Sequence, residues 1–294
     1  MIVNVFGSTS LVGCSFVEQV KILMKEYTIN CYSRSSTNDL KLDLLEPNKF
    51  KPSSLGSDSL WISFAPIWDF SSFLNWLYIN KRNYLNSLKG LIVCSSSSVI
   101  TKRFSFNSFD KKLVKDLKSA EDRIISICSS LEIPFYIIRP TLIYGEINEK
   151  VDKNINTLIK IMRKNKFIPL PSDTGLRQPI HISQLSLVSI KLLGEIELDH
   201  NINRNNRIIN LGGDSQISYR QMLVDLQNSL PLSDHARNCK IVSFPNRFYL
   251  FLASILLLKS PKFFEAVQRI MVDLAGFTSS CEILHVKPQK FPLK

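Results

Sequence analysis

The chain begins Met-Ile-Val-Asn-Val-Phe-Gly-Ser-Thr-Ser-Leu-Val-Gly-Cys, and these fourteen residues constrain its fold more than any other segment. Ile2, Val3, Val5 and Phe6 form an apolar run of strand character that breaks at Gly7 and passes through Ser8, Thr9 and Ser10. It reaches Gly13 as a helical pattern begins at Phe16, Val17, Val20, Ile22 and Leu23. A strand that turns tightly into a helix N-terminus is suited to carrying a diphosphate. Backbone N–H groups and the positive end of the helix dipole face the anion, and a residue without Cβ lets it come close. Gly7, Thr9, Ser10, Leu11, Val12 and Gly13 are therefore the expected cofactor-binding residues, with a nucleotide as guest. The dinucleotide fingerprint has three glycines, and here Ser10 stands between Gly7 and Gly13. A plain βα turn using glycine for its positive φ is the competing reading; the position on the first strand favours the cofactor.

Short apolar runs then alternate with helix-length patterns. Ile2–Phe6, Thr28–Tyr32, Leu60–Phe64, Gly90–Cys94 and Pro134–Ile138 are expected strands, and Phe16–Met24, Phe70–Leu88 and Leu113–Leu131 are expected helices. Ile208–Leu211 is a last short strand ending in Gly212-Gly213. This alternation predicts an α/β protein built on a Rossmann-type, doubly wound parallel sheet. At 294 residues the chain exceeds the usual single-domain size. A nucleotide-binding domain over 1–165 is expected, followed by a smaller, mostly helical substrate lobe over 166–294, with residues of about 177–212 returning to the core.

Ligands of such sheets bind where strands end at their carboxyl side, so the residues just after each run carry the chemistry. Ser33, Arg34 and Ser35 follow the second run, where an NAD-binding domain carries an acidic ribose ligand. An arginine with flanking hydroxyls suits a 2′-phosphate instead, so NADP is the expected cofactor, with NAD and an ordinary loop arginine as alternatives. Asp43 in Leu42-Asp43-Leu44 is expected near the adenine, and Ala65 in Phe64-Ala65-Pro66 occupies a loop that often lies under the cofactor. Ser95 to Ser98 follow the fifth run, beside the nicotinamide end; turn-forming and helix-capping serines are the plainer reading.

The six cysteines have no zinc-like spacing and no leader ahead of them, which predicts reduced thiols in a cytoplasmic protein and no metal site. Lys and Arg outnumber Asp and Glu by 37 to 25, a field that attracts anionic ligands or membranes, or simply a solvated basic surface. No nucleic-acid-binding motif is present, so no nucleic-acid partner is expected. Phe248–Leu258 is apolar, flanked by Arg247, Lys259 and Lys262, and too short to span a bilayer, which takes about 20 residues. It reads either as a peripheral membrane contact or as a buried helix of the second lobe. Self-association into a homodimer is a further expected partnership.

In order along the chain stand Phe-Gly-Ser-Thr-Ser-Leu-Val-Gly at 6–13, the serines at 95–98, Arg-Pro-Thr-Leu-Ile-Tyr-Gly at 139–145, Arg-Gln-Pro-Ile-His-Ile at 177–182 and Leu-Gly-Gly-Asp-Ser-Gln-Ile-Ser-Tyr-Arg at 211–220. Together they resemble the extended short-chain dehydrogenase/reductases, the NAD(P)-dependent sugar epimerase/dehydratase group. The resemblance implies hydride transfer on a nucleotide- or polyprenyl-linked sugar. It matches Ser97 to the catalytic hydroxyl, places Arg177 on the substrate diphosphate, and sets Tyr144 and His181 beside the same cleft. Tyr144 as a packed ring and His181 as a core histidine are the plainer readings.

The family's catalytic Tyr, with a Lys four residues later, has no counterpart. No tyrosine lies between Tyr84 and Tyr136; reading back from Lys118 gives Val114, and aligning on Ala120-Glu121 gives Leu113 and Leu117. Lys118 with Ser97 is the catalytic pair that the sequence offers. A non-catalytic NADP-binding structural or regulatory protein is the alternative function.

Overall fold

Each expected strand becomes a strand of one parallel sheet. The structure, a computed structural model, describes residues 1–34, 40–49, 58–198, 208–258 and 260–293; Ser35 and Lys259 lie outside these. The chain divides into two compact units, one of residues 1–99, 115–140 and 182–211, the other of 100–114, 141–181 and 212–294.

In the first unit β1 (Ile2–Phe6), β2 (Thr28–Ser33), β3 (Leu40–Lys41), β4 (Ser59–Ser63), β5 (Leu88–Cys94), β6 (Phe135–Pro140) and β7 (Ile208–Gly212) lie in the order β7-β6-β5-β4-β1-β2-β3. All neighbouring pairs are parallel. The helices are α1 (Leu11–Leu23), α2 (Ile67–Asn80), α3 (Ser108–Ser130, whose first turns belong to the second unit) and α4 (Ile182–Leu198). This is the Rossmann-type arrangement. The strands are apolar nearly throughout because helices cover the sheet: Phe6 packs on Phe70 and Phe73 of α2, and a Cβ on Gly90 of β5 would lie 2.1 Å from Ile196 of α4. Two hydroxyl contacts tie helices together, Ser186 to Ser15 at 3.0 Å and Arg123 to Ser71 at 3.1 Å.

Helix α1 starts at Leu11, well before the apolar periodicity announces it. Ser10 is its N-cap, and its hydroxyl accepts from the Gly13 N–H at 3.0 Å. A polar N-cap, not a hydrophobic stripe, sets this boundary.

The second unit is rich in short helices: Lys153–Lys164, Tyr219–Ser229, Asn246–Ser254, Pro261–Gln268 and Ser280–Leu284. Small ladders join them, among them Phe167–Pro171 with Lys240–Phe244 and Ile143–Tyr144 with Ile180–His181. Residues 141–165, given by the sequence to the nucleotide-binding domain, group here. After Pro140 the chain leaves the sheet, and Ile155 and Met162 pack with Leu170, Met222 and Leu223 in this unit's core. The segment that returns to the first unit is 182–211.

Candidate functional site

At β1 the strand order turns around, with β2 on one side and β4 on the other. The carboxyl ends of strands diverge at such a switch point and leave a crevice. A cleft of about 230 Å³ lies there, lined by Gly7, Thr9 and Ser10 after β1, by Ser33 at the end of β2 and Arg34 just beyond it, by Asp43, and by Ala65, Pro66 and Asp69 after β4. Phe6, Tyr32, Leu42, Leu44 and Phe64 supply apolar walls.

Gly7 sits at φ +74°, and a Cβ there would lie 2.6 Å from the Ala65 backbone nitrogen. The loops after β1 and β4 therefore approach as they do only with glycine in that place. Gly13 has a different reason. A Cβ on it would lie 2.3 Å from the Gly7 carbonyl oxygen and 2.9 Å from the Ser10 hydroxyl, so a side chain would strike the turn itself, not a phosphate path. Gly13, Leu11 and Val12 form the first turn of α1 behind the cleft, and Val12 is buried. The first-turn amides of that helix supply the favourable pole for an anion. These residues fit a dinucleotide, whose diphosphate would meet the Gly7–Ser10 turn and whose adenosine end would meet Arg34 and Asp43.

Three charged side chains share the cleft. Arg34 is exposed at its rim, the Asp43 carboxylate also accepts from the Leu45 N–H at 3.0 Å, and Asp69 stands on the first turn of α2. Burial raises the Asp69 pKa above its ordinary value, with Asp43 adding to the rise and Arg34 opposing it. Asp69 escapes the sequence because its only signal is its place three residues after Pro66, at a helix start that apolar spacing puts at Phe70.

Beyond β5 the serines are divided in their work. Ser95 donates to Glu121 Oε1 at 2.5 Å, and the Ser96 hydroxyl accepts from the Ser98 N–H at 3.1 Å. Ser97 donates its backbone N–H to Pro140 O at 3.0 Å and is half-buried. On α3, Leu117 and Glu121 are buried while Lys118 is exposed. The buried face of this helix thus carries leucine where the resemblance calls for lysine, and Lys118 points to solvent. Glu121, buried and bonded to Arg139 of β6 at 2.9 and 2.5 Å, is a feature that the sequence did not single out.

In the second unit Arg177 does not present its fork to a ligand. Nη1 donates to the carbonyls of Leu176 at 2.7 Å and Val272 at 2.8 Å, and Nη2 to that of Arg269 at 2.5 Å. Its guanidinium also lies 5.1 Å from the Tyr219 ring centroid. The diphosphate role expected of Arg177 is corrected to a structural one, because three carbonyls use the same two nitrogens that would grip phosphate. Tyr144 and His181 are brought together, ring centroids 5.1 Å apart, as neighbours in the Ile143–Tyr144 and Ile180–His181 ladder. Tyr144 is buried, and its hydroxyl accepts from the Leu293 N–H at 3.0 Å; burial pushes its pKa up to about 12. Burial lowers the His181 pKa, favouring the neutral imidazole.

No protein-family model matches the chain, and no curated protein matches it in sequence. Its fold is that of several solved sugar-nucleotide enzymes. The structure of MoeE5 in complex with UDP-glucose and NAD matches with a TM-score of 0.61 at 14% identity, over 99% of this chain and 95% of that one. UDP-glucuronic acid 4-epimerase from Bacillus cereus, in complex with UDP-glucuronic acid and NAD, gives 0.61 at 15% identity over 99% and 95%. MlghC, a GDP-mannoheptose C4 reductase from Campylobacter jejuni with NADP bound, gives 0.59 at 14% identity over 83% and 87%.

Proposed function

We propose that this protein binds NADP(H) in the first unit and uses it on a nucleotide-linked or polyprenyl-linked sugar. The observation that carries the cofactor half is the cleft at the β1 switch point, with the glycine turn and helix start at one side and Arg34 at the rim. A bound nicotinamide would supply hydride transfer. The chain's own residues orient it: the Gly7–Ser10 turn meets the diphosphate, Arg34 the 2′-phosphate, Asp43 the adenosine end and Ala65 the cofactor's underside. Among the hydroxyls after β5, Ser97 is the one proposed to face the substrate. The substrate class rests on the likeness to MoeE5, the Bacillus cereus epimerase and MlghC. A polyprenyl-linked substrate is met at a membrane, so peripheral membrane contact belongs to the same proposal.

A second reading, a non-catalytic NADP-binding structural or regulatory protein, is favoured by one observation: Leu117 is buried where the resemblance expects the catalytic lysine. Titration of NADP(H) and NAD(H), followed by turnover assays on a panel of nucleotide- and polyprenyl-linked sugars, separates the readings. Tighter NADP(H) binding with turnover that falls in Ser97→Ala supports the enzyme. Tighter NADP(H) binding with no turnover supports the second reading, and absence of dinucleotide binding overturns both.

A further inference from the structure

The helix Asn246–Ser254 is amphipathic in the wrong sense for a soluble surface. Phe248, Phe251, Leu252 and Ile255, spaced i, i+3, i+4 and i+7, are exposed, whereas Tyr249 and Ala253 alone are buried. Phe251 is 68% exposed, and Leu258, in the single turn that follows, 91%. An apolar stripe of this spacing ordinarily faces a core. The buried-helix reading of Phe248–Leu258 is therefore set aside.

A second apolar element is fastened beside it. The N–H groups of Phe106 and Asn107 both donate to Glu265 Oε1, at 2.9 and 2.6 Å, and Arg269 bonds Asp110 at 3.0 Å. The Lys262 ammonium lies 3.4 Å from the Phe109 ring centroid. These contacts hold the loop before α3 against the helix Pro261–Gln268, with Phe104 and Phe106 exposed.

The charges carried by the two segments themselves are one-sided. Residues 235–264 contain no Asp or Glu but do contain Arg237, Lys240, Arg247, Lys259 and Lys262, and 99–109 contain only Lys102 and Arg103. The acids that fasten these segments, Asp110 and Glu265, are turned inward, with side chains 0% and 10% exposed. One exposed acid, Asp173, meets the helix at its first residue, where Asn246 Nδ2 donates to it at 2.7 Å; beyond it, what these two segments bring to solvent is apolar and cationic. We propose that this face docks on an anionic phospholipid surface, the aromatic and aliphatic side chains entering the headgroup boundary and Arg247 and Lys262 meeting lipid phosphates. A second copy of the chain is a poorer occupant, because pairing these faces would bring like charges together. No described helix is long and apolar enough to cross a membrane, so the contact is made from one side. This specifies the membrane contact of the proposed function and stands apart from its cofactor half.

Flotation of the full chain with vesicles of phosphatidylcholine, with or without phosphatidylserine, tests it. Binding is expected to the mixed vesicles, to weaken in high salt, and to fall about tenfold or more in Phe251→Asp and in Phe106→Asp. Arg247→Gln with Lys262→Gln should lower it roughly thirtyfold, each charge near an anionic surface contributing about fivefold. NADP(H) affinity, measured on the same samples, reports that the variants are folded and keeps failure of this inference distinct from failure of the cofactor reading. No flotation with mixed vesicles, undiminished flotation of the variants, or a wild-type dimer that Phe251→Asp turns into monomer would overturn the proposal.

Discussion

Arg139 grips Glu121 with two parallel hydrogen bonds, Nε to Oε1 at 2.9 Å and Nη2 to Oε2 at 2.5 Å, where β5 and β6 end. The Glu121 side chain is 2% exposed, and Ser95 donates to the same carboxylate. Removing one partner of a buried pair leaves an uncompensated charge, at a cost of about 3–5 kcal/mol, while replacing both by apolar groups is often close to neutral. Glu121→Ala is expected to lose stability on that scale in urea unfolding, and the double variant Glu121→Met with Arg139→Met to regain most of it. Equal losses in both variants would show that packing of the long side chains, not charge, dominates.

Arg34 and Asp69 line one cleft with opposite charges, and in the proposed NADP site they would pull the choice of cofactor in opposite directions. Arg34→Ala should cost NADP(H) about one to two decades of affinity, the value of a charge-assisted contact, and leave NAD(H) nearly unchanged. Asp69→Asn should strengthen NADP(H) binding. The sign of the pH effect follows from the raised Asp69 pKa: protonation removes a negative charge beside the 2′-phosphate, so wild-type affinity gains on the variant's as pH falls through that pKa. Calorimetric titration of both proteins at several pH values measures the difference, and parallel profiles would remove Asp69 from the site.

Gly13→Ala should lower the melting temperature and the dinucleotide affinity together, since its Cβ would lie 2.3 Å from the Gly7 oxygen and the turn must shift. Thermal unfolding and cofactor titration on one preparation decide this. Normal unfolding with lost binding would instead locate the missing side chain in the phosphate path.

Arg177→Ala is expected to destabilise the protein by about 2–4 kcal/mol, because carbonyls that accept from a buried cation lose their donors. Lysine at 177 should rescue only partly, its point charge being unable to serve three carbonyls with a fixed fork. Dinucleotide affinity should not move. A variant of unchanged stability that loses affinity for UDP-glucose would return Arg177 to the substrate.

Asp110 links the second unit's stability to acid. Burial raises its pKa, but bonds from Lys102 and Asn107, with the charges of Lys102 and Arg269, outweigh that and bring it to about 2. A folded-state pKa below the unfolded value contributes stability above the ordinary carboxyl range and loses it as pH falls toward the folded value. The contribution is about 2 kcal/mol. Asp110→Asn should be less stable at neutral pH, with the gap to wild type closing between about pH 4 and 2.

The sheet was legible because apolar runs bounded by turn residues, at helix-length spacing, leave few other ways to bury themselves. The tight turn after β1 was legible because Gly7, Ser10 and Gly13 are local to it. Arg177 was not: its fork suits a phosphate and a cluster of carbonyls alike, and two of those carbonyls, on Arg269 and Val272, come 92 and 95 residues later in the chain. Nor could sequence assign 141–165, since only packing shows that Ile155 and Met162 serve a core made mostly of later residues. An apolar run such as Phe248–Leu258 looks the same whether covered or bare, and only the folded chain shows that it buries two side chains of its first helix.

The two units share their chain in alternating stretches, which change hands at 99/100, 114/115, 140/141, 181/182 and 211/212. Neither can be excised by a single cut or grafted whole onto another gene, and a truncation meant to remove one deletes strands or helices of the other.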